Sequence, residues 1–230
     1  MKATAFFHIA TIGAYQAITD ELMDCVMGSG LINHLEALNC CVSGSGDVRL
    51  ATHPKVHQMR LRADSDKFEF PTLQRLHAHA KSHPGEAVLY FHTKGVSKAG
   101  NPCISDWRQY MAYFVLEQWG DALDALECTD TAGVDWSVFH IDTMSCTSES
   151  ITYFGRDLHY SGNFWWAHTD YIARLPDLDD TKGRHSCEMW IGKIKGNHRC
   201  LWTSGIPILA RQYFRYGRSV YAQKEGVSNA

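Results

Sequence analysis

Ala87-Val88-Leu89-Tyr90-Phe91-His92-Thr93-Lys94-Gly95 is an uninterrupted apolar run that closes on a polar, basic step. A run of this length, with Pro84-Gly85 before it and Gly95 after it, predicts a central strand covered on both faces, as in the parallel sheet of an α/β protein. Open sheets of that kind hold ligands beyond the carboxyl ends of their strands, where loops and helix N-termini converge. The strand therefore carries His92, Thr93 and Lys94 into a ligand crevice.

Outward from this strand, apolar runs bounded by turn residues alternate with helical patterns. Strands are expected at 6–10, 38–42 and Val56–Arg62, with a helix over 15–27 that stops near Gly28 and Gly30. Ser-Gly-Ser-Gly-Asp at 43–47 ends the second strand. A helix opened by Pro71 runs to about Ser82, where His83-Pro84-Gly85 breaks it. Downstream, Asp106 is the expected N-cap of a helix over 107–126, with Trp107, Met111, Phe114 and Val115 on one stripe. Strands over 132–141 and 163–167 follow, then a short helix from Tyr171 closed by Pro176 and a polar loop over 177–183. A last helix over 184–194 carries Glu188 and Trp190, and the aromatic, basic tail after Ile208 has no clear pattern. The βα alternation predicts one α/β domain over 1–230, because no linker or change of composition divides the chain.

The formal charge of −3 and the absence of a basic stripe argue against general attraction to nucleic acid or anionic lipid. At the N-terminus, Lys2 precedes an apolar stretch soon interrupted by His8 and Thr11, so it reads as a strand and not an export signal. With no run of about 20 apolar residues, a soluble, cytoplasmic protein without a membrane span is expected. The eight cysteines include no Cys-x-x-Cys pair, the pattern of reduced cytosolic thiols. His185-x-Cys187 and His198-x-Cys200 are candidate zinc pairs, but a one-residue spacing is tighter than structural zinc sites use.

Three groups of residues are candidates for chemistry. Lys94 offers a compact positive charge for phosphate oxygens, and Gly95 lets backbone pass close to a bound group; the bland reading is a surface turn. Tyr160-Ser161-Gly162-Asn163-Phe164-Trp165-Trp166-Ala167 puts two tryptophans on opposite faces of a strand, one free to line a cleft and stack on a sugar, with Asn163 or Ser161 as a hydrogen-bonding partner; aromatics in such a strand are more often core. Arg184 and Glu188, four residues apart, share a helix face. They are either an exposed ion pair or, at a cleft, a carboxylate base with an orienting arginine.

The ordered set of Tyr-Phe-His-Thr-Lys-Gly at 90–95, Trp107-Arg108, Ser-Gly-Asn-Phe-Trp-Trp-Ala at 161–167, Arg184 and Glu188-x-Trp190 resembles small GT-A-like glycosyltransferases of polysaccharide-synthesis gene sets and large viruses. It is more distantly similar to the rhamnan-synthesis family. The resemblance runs from about residue 5 to about residue 200. It implies a GT-A-like fold with a Rossmann-like, mostly parallel sheet, a nucleotide-sugar-binding half over about 1–100, an acceptor half over about 101–205 and a tail over 206–230. It further implies a UDP-sugar as the leading donor, a glycan or other hydroxyl acceptor, and Thr11, Tyr15 and Ser43 beside Thr93, Lys94 and Gly95 at the donor, with Asn163, Trp165, Trp166 and Arg184 at the acceptor.

GT-A enzymes usually end a central strand in an Asp-x-Asp that binds a divalent cation, Mn or Mg; here His92-Thr93-Lys94 stands at that strand end. Lys94, with His92, is thus the expected neutraliser of a diphosphate leaving group and Glu188 the expected base, while Asp64 and Asp66 are the alternative metal ligands and a further acidic stretch spans 177–180. Gly44-x-Gly46 lacks the third glycine of a dinucleotide fingerprint, and no phosphate-loop Gly-Lys-Ser/Thr occurs. A binding module of the same fold without catalysis is the alternative; a nucleotidyltransferase would carry a Gly-rich basic signature near its N-terminus, which the chain lacks.

Overall fold

The computed structural model describes residues 1–62, 64, 66, 68–98, 100–138, 150–152, 158–179, 181, 183, 185–207 and 210–222. The N-terminal apolar stretch forms β1 (Ala3–Ala10), followed by α1 (Tyr15–Gly28), α2 (Leu31–His34), β2 (Ala37–Ser43), β3 (Val56–Arg62), α3 (Phe70–Ser82) and β4 (Ala87–His92). Next come α4 (Pro102–Ala112), α5 (Trp119–Leu126), β5 (Thr131–Gly133), β6 (Trp136–Val138), β7 (Ser150–Thr152), β8 (Leu158–Tyr160) and β9 (Trp165–His168). The chain continues through α6 (Thr169–Ile172), α7 (His185–Glu188), β10 (Asn197–Cys200) and α8 (Arg218–Tyr221).

Eight strands from both halves of the chain pair in the order β3-β2-β1-β4-β9-β5-β10-β7, and β6 and β8 form a small second sheet. The joints β3-β2, β2-β1, β1-β4 and β5-β10 are parallel, so all strands of the large sheet except β9 and β7 run one way. This is the expected α/β class, a mostly parallel central sheet flanked by helices. Alternation along the strands divides the core into two layers. Ala5, Phe7 and Ile9 of β1 with Leu89 and Phe91 of β4 pack against Leu22 and Val26 of α1 and Tyr110 and Met111 of α4. Phe6, Val88 and Tyr90 point the other way, against Leu73 and Leu76 of α3. From β1 the chain turns toward β2, whereas from β3 it crosses to β4, so the strand order reverses between β1 and β4. Beyond their carboxyl ends a crevice is left. Among the described residues no helix is long and apolar enough to cross a membrane.

Several elements differ from the sequence expectation. The helix after β4 starts earlier, with Asn101 as N-cap: its side chain accepts a hydrogen bond from the Cys103 amide at 2.9 Å, and Pro102 occupies the first turn. Asp106 is not a cap. It lies inside α4, is 7% exposed, and accepts the Tyr216 amide at 2.9 Å and the Arg215 side chain. The long helix is also interrupted by a π-helical turn over Tyr113–Glu117. The strand expected over 132–141 breaks into β5 and β6 because Asp135 takes a left-handed backbone, φ 49°; residues 139–141 lie outside the described ones. Asn163, expected to open β9, is likewise left-handed at φ 65° and stands in the turn before it. The helix expected over 184–194 is only α7 plus a 3-10 turn over Trp190–Gly192.

Asp135 explains how the patternless tail is held. Its carboxylate, 1% exposed, accepts from the Ser204 amide at 2.7 Å, from the Tyr110 hydroxyl and, across an ion pair of 3.3 Å, from Arg211, itself 3% exposed. Removing one member of a buried pair leaves the other charge without compensation. Asp135→Ala should therefore destabilise the fold by about 3–5 kcal/mol in urea unfolding, and a loss below about 1 kcal/mol would show that the tail is held by other contacts.

Candidate functional site

A cleft of about 600 Å³ opens at the carboxyl ends of β1 and β4. Its floor is His8 and His92, paired across the two parallel strands, and its walls include Glu69, Thr93, Lys94, Gly95, Trp107 and Glu188. The turn after β4 is built tightly. Thr93 donates its amide to the His8 carbonyl at 3.0 Å and accepts the Ala10 amide on its hydroxyl at 3.2 Å, locking the ends of the two strands together. At Gly95 φ is +81°, and a Cβ there would meet Ile104 at 2.3 Å, so only glycine lets the turn pack against α4.

Lys94 leaves this turn with its ammonium 4.4 Å from the centre of the Trp107 ring, a cation–π contact. Its carbonyl accepts from Arg108 Nη1 at 3.1 Å, and Arg108, 6% exposed, is anchored to Glu21 of α1 at 2.6 and 3.1 Å. The Trp107-Arg108 pair thus has two duties: the indole supports the ammonium and the guanidinium fixes the backbone that carries it.

Glu188, at the end of α7, is 7% exposed. Burial pushes its pKa up, but Lys94 first and then His159, His92 and His185 pull it down, and the net position is below the ordinary glutamate value. The carboxylate is therefore the charged form at neutral pH and stays so because a cation shares its cleft. His92 behaves oppositely. Burial holds its pKa below the usual value, outweighing the pull of Glu69 in the other direction, so the ring is neutral at pH 7. This corrects the expectation that His92 adds a second positive charge: a ring this deeply buried loses more hydration than one glutamate returns. His8 is also lowered, to about 4, again chiefly by burial.

Glu69, the residue before α3, is the cleft carboxylate that sequence reasoning missed. Its Oε2 accepts from the Tyr90 hydroxyl at 2.8 Å and from Asn163 Nδ2 at 2.6 Å, and its Oε1 lies 3.6 Å from His92 Nδ1. Burial, and Glu69 after it, holds the Tyr90 hydroxyl far above the ordinary tyrosine pKa, so it remains a donor. The orientation of Asn163 follows from Trp165, whose indole N–H can only donate and meets Asn163 Oδ1 at 2.8 Å. A carboxylate between Phe68 and Phe70, ahead of Pro71, is a hint of a helix start; its partner Asn163, 94 positions on, leaves none.

The remaining sequence candidates divide. His92, Thr93, Lys94, Gly95 and Glu188 converge on the cleft. Trp165 and Trp166 do point to opposite faces, but both are fully buried and neither ring borders the cleft, because helices cover both faces of the sheet at β9. Asn163, also fully buried, positions Glu69. Thr11, Tyr15 and Ser43 lie beside the cleft and not in its walls. The Thr11 hydroxyl accepts the Gly46 amide at 3.0 Å and donates to the Ser43 carbonyl, and Tyr15 donates to the Asp47 carbonyl at 3.1 Å. These bonds shape the loop after β2, in which Gly44, at φ +105°, approaches Thr11 so closely that a Cβ would lie 2.2 Å from its hydroxyl. Arg184 lies outside the described residues.

Among the described residues, the candidate ligands for the divalent cation implied by the GT-A resemblance do not meet in the cleft. Asp64 is ion-paired with Arg62 at 3.2 Å, neither it nor Asp66 lines the cleft, and the strand end carries an ammonium. Among the described residues no three His, Cys, Asp or Glu side chains group so as to hold a metal ion. In the candidate zinc set, His198 Nδ1 is taken by Thr131 at 2.8 Å and Cys200 donates to the Trp202 carbonyl.

A family model described as a domain of unknown function, DUF8361, matches residues 28–199. No curated protein matches the chain. Among solved structures, Rv0371c from Mycobacterium tuberculosis H37Rv is similar at 14% identity and TM-score 0.42, covering 90% of this chain and 91% of its own; a second structure of that protein, in complex with manganese, aligns at 13% identity and TM-score 0.41 over the same shares. Mth528 from Methanothermobacter, described as a nucleotidyl transferase, follows at 11% identity and TM-score 0.37, covering 88% of each chain. Likeness at this level leaves the chemistry of the cleft to its own residues.

The coupling of Lys94 to Glu188 is directly measurable. Lys94→Met removes the main cation holding the Glu188 pKa down, so burial should prevail and the pKa should rise, as read by carbon-13 NMR titration of the glutamate carboxyls. An unchanged Glu188 titration would mean that the two groups do not share an electrostatic site.

Proposed function

Since the chain belongs to the DUF8361 family, whose description names no activity, its function rests on its own cleft, and we propose a transferase that moves a sugar from a nucleoside diphosphate-sugar to a hydroxyl acceptor. The observation that carries this reading is the pairing, in one cleft at the strand-order reversal, of a preorganised ammonium with a buried, ionised carboxylate. An ammonium on a tight turn suits diphosphate oxygens, and a carboxylate kept free of its proton suits the acceptor hydroxyl. Walls drawn from both halves of the chain favour one catalytic unit, with the donor on the β1/β4 side and the acceptor on the α7 side.

In the proposed reaction the acceptor oxygen attacks the anomeric carbon as the bond from that carbon to the diphosphate breaks. The bonding pair leaves on the diphosphate oxygen, whose growing charge Lys94 stabilises, while Glu188 takes the acceptor proton. Attack opposite the leaving group inverts the anomeric centre. Donor binding would also tune the base: a diphosphate that engages Lys94 offsets its charge, so Glu188 becomes more basic when substrate is present.

Release of nucleoside diphosphate from UDP-, dTDP-, GDP- and CDP-sugars, with and without simple glycan acceptors, tests the reading. Lys94→Ala should lower turnover by about 10²–10³-fold and Glu188→Gln by about 10²–10⁴-fold, each with the thermal midpoint little changed. Full activity in either variant would remove that residue from the mechanism. Binding without turnover would favour a non-catalytic module, and pyrophosphate release from a nucleoside triphosphate supplied with a sugar 1-phosphate would favour a nucleotidyltransferase.

A further inference from the structure

Glu69 and His92 present two hydrogen-bond acceptors side by side to the cleft, with no hydrogen between them. The carbonyl of Gly162 can only accept, so the hydrogen bond of 2.9 Å that joins it to His92 places the ring hydrogen on Nε2. In the neutral ring Nδ1 is then a lone pair, and it faces Glu69 Oε1 at 3.6 Å. Glu69 cannot turn away, because Tyr90 and Asn163 hold its other oxygen and Trp165 holds Asn163. His92 cannot turn either, since rotation would give up the Gly162 bond and its edge contact with Phe164. Two fixed acceptors that face each other repel unless something brings hydrogens to both, and both line the cleft.

We propose that Glu69 Oε1 and His92 Nδ1 form a reading site for two neighbouring hydroxyls of the transferred sugar, one hydroxyl donating to each. A diol fits: adjacent hydroxyls on a pyranose have a spacing comparable to that of the two acceptors, and each supplies one hydrogen. Other groups around the site agree with this assignment. Lys94, the cation of the cleft, rests on Trp107 and serves the phosphates, while His8, on the neighbouring strand, spends Nδ1 on Thr72 at 2.8 Å. The inference rests on the nucleotide-sugar reading above and adds which part of the donor is recognised, by which residues and through what chemistry: a sugar with free vicinal hydroxyls, read by a carboxylate and a neutral imidazole.

The test is the gain in affinity that the sugar adds to the bare nucleotide, measured by calorimetry on the full chain. Dissociation constants of UDP, dTDP, GDP and CDP are compared with those of their hexose conjugates, for wild type and Glu69→Gln. The glutamine can donate its own amide hydrogen to His92 Nδ1 and so fill the site from within. The sugar increment should fall about tenfold or more, as expected for lost hydrogen bonds to a charged group, with affinity for the matching bare diphosphate unchanged. An increment equal in wild type and variant, or absent from wild type, would overturn the diol site while leaving the nucleotide reading intact. If neither bare nucleotides nor conjugates bind, the nucleotide reading fails first and the diol site with it. Mn²⁺ binding to nucleotide-free protein that Glu69→Gln abolishes would instead make the pair a cation site and overturn the proposal. Should the variant not fold, nitrogen-15 NMR of wild-type His92 decides: a neutral ring protonated on Nε2 at pH 7 is expected, and a doubly protonated ring contradicts it.

Discussion

The position of β4, hydrogen-bonded to parallel β1 on one edge and to antiparallel β9 on the other, is the constraint on which the cleft depends. Both edges are satisfied, and both faces are packed, Leu89 and Phe91 toward α1 and α4 and Val88 and Tyr90 toward α3. A strand so enclosed has no freedom in register, because slipping by one residue would exchange its two faces. His92 must therefore stand beside His8, and the chain must turn immediately after it. Antiparallel β9 adds what a purely parallel sheet would not. The turn at 161–163 that feeds it arrives beside the end of β4, bringing the Gly162 carbonyl to His92 and the Asn163 amide to Glu69.

Charge in the cleft is organised by unequal burial. The imidazoles on the floor lose more solvation than nearby carboxylates return, and remain neutral. Glu188 is nearly as buried yet keeps its charge because the attractions led by Lys94 exceed its burial cost. Lys94 is held in turn by groups that do not themselves meet the cleft chemistry: Arg108 on its carbonyl and Glu21 on Arg108. A cation placed by its backbone and rested on an indole needs little rearrangement to meet a phosphate.

Much of this was legible in the sequence, for local reasons. The run 87–91 is apolar at every position because both faces of β4 are covered, α1 follows from apolar spacing and the glycines at its end, and β3 from its alternation. Lys94 could be singled out because a basic step follows a buried strand, and Glu188 because Arg184 stands four residues before it. What could not be read was set by contacts distant in sequence. The two tryptophans at 165–166 look the same in sequence whether one meets a cleft or both meet helices. Asp106 has the composition of a helix cap, but the Tyr216 amide and Arg215, 110 and 109 positions on, make it an interior anchor. Glu69 gains its place from Asn163, and Asp135 from Arg211, neither pair having a local signal.

The central claim is that the cleft at the β1/β4 reversal holds a diphosphate on Lys94 with Glu188 facing the reacting carbon. A crystal structure of the protein grown with a nucleoside diphosphate-sugar tests it most directly. The account predicts diphosphate oxygens within hydrogen-bond reach of Lys94 Nζ and the anomeric carbon on the Glu188 side of the cleft. A nucleotide bound elsewhere on the molecule, or one in this cleft whose diphosphate makes no contact with Lys94, would contradict it.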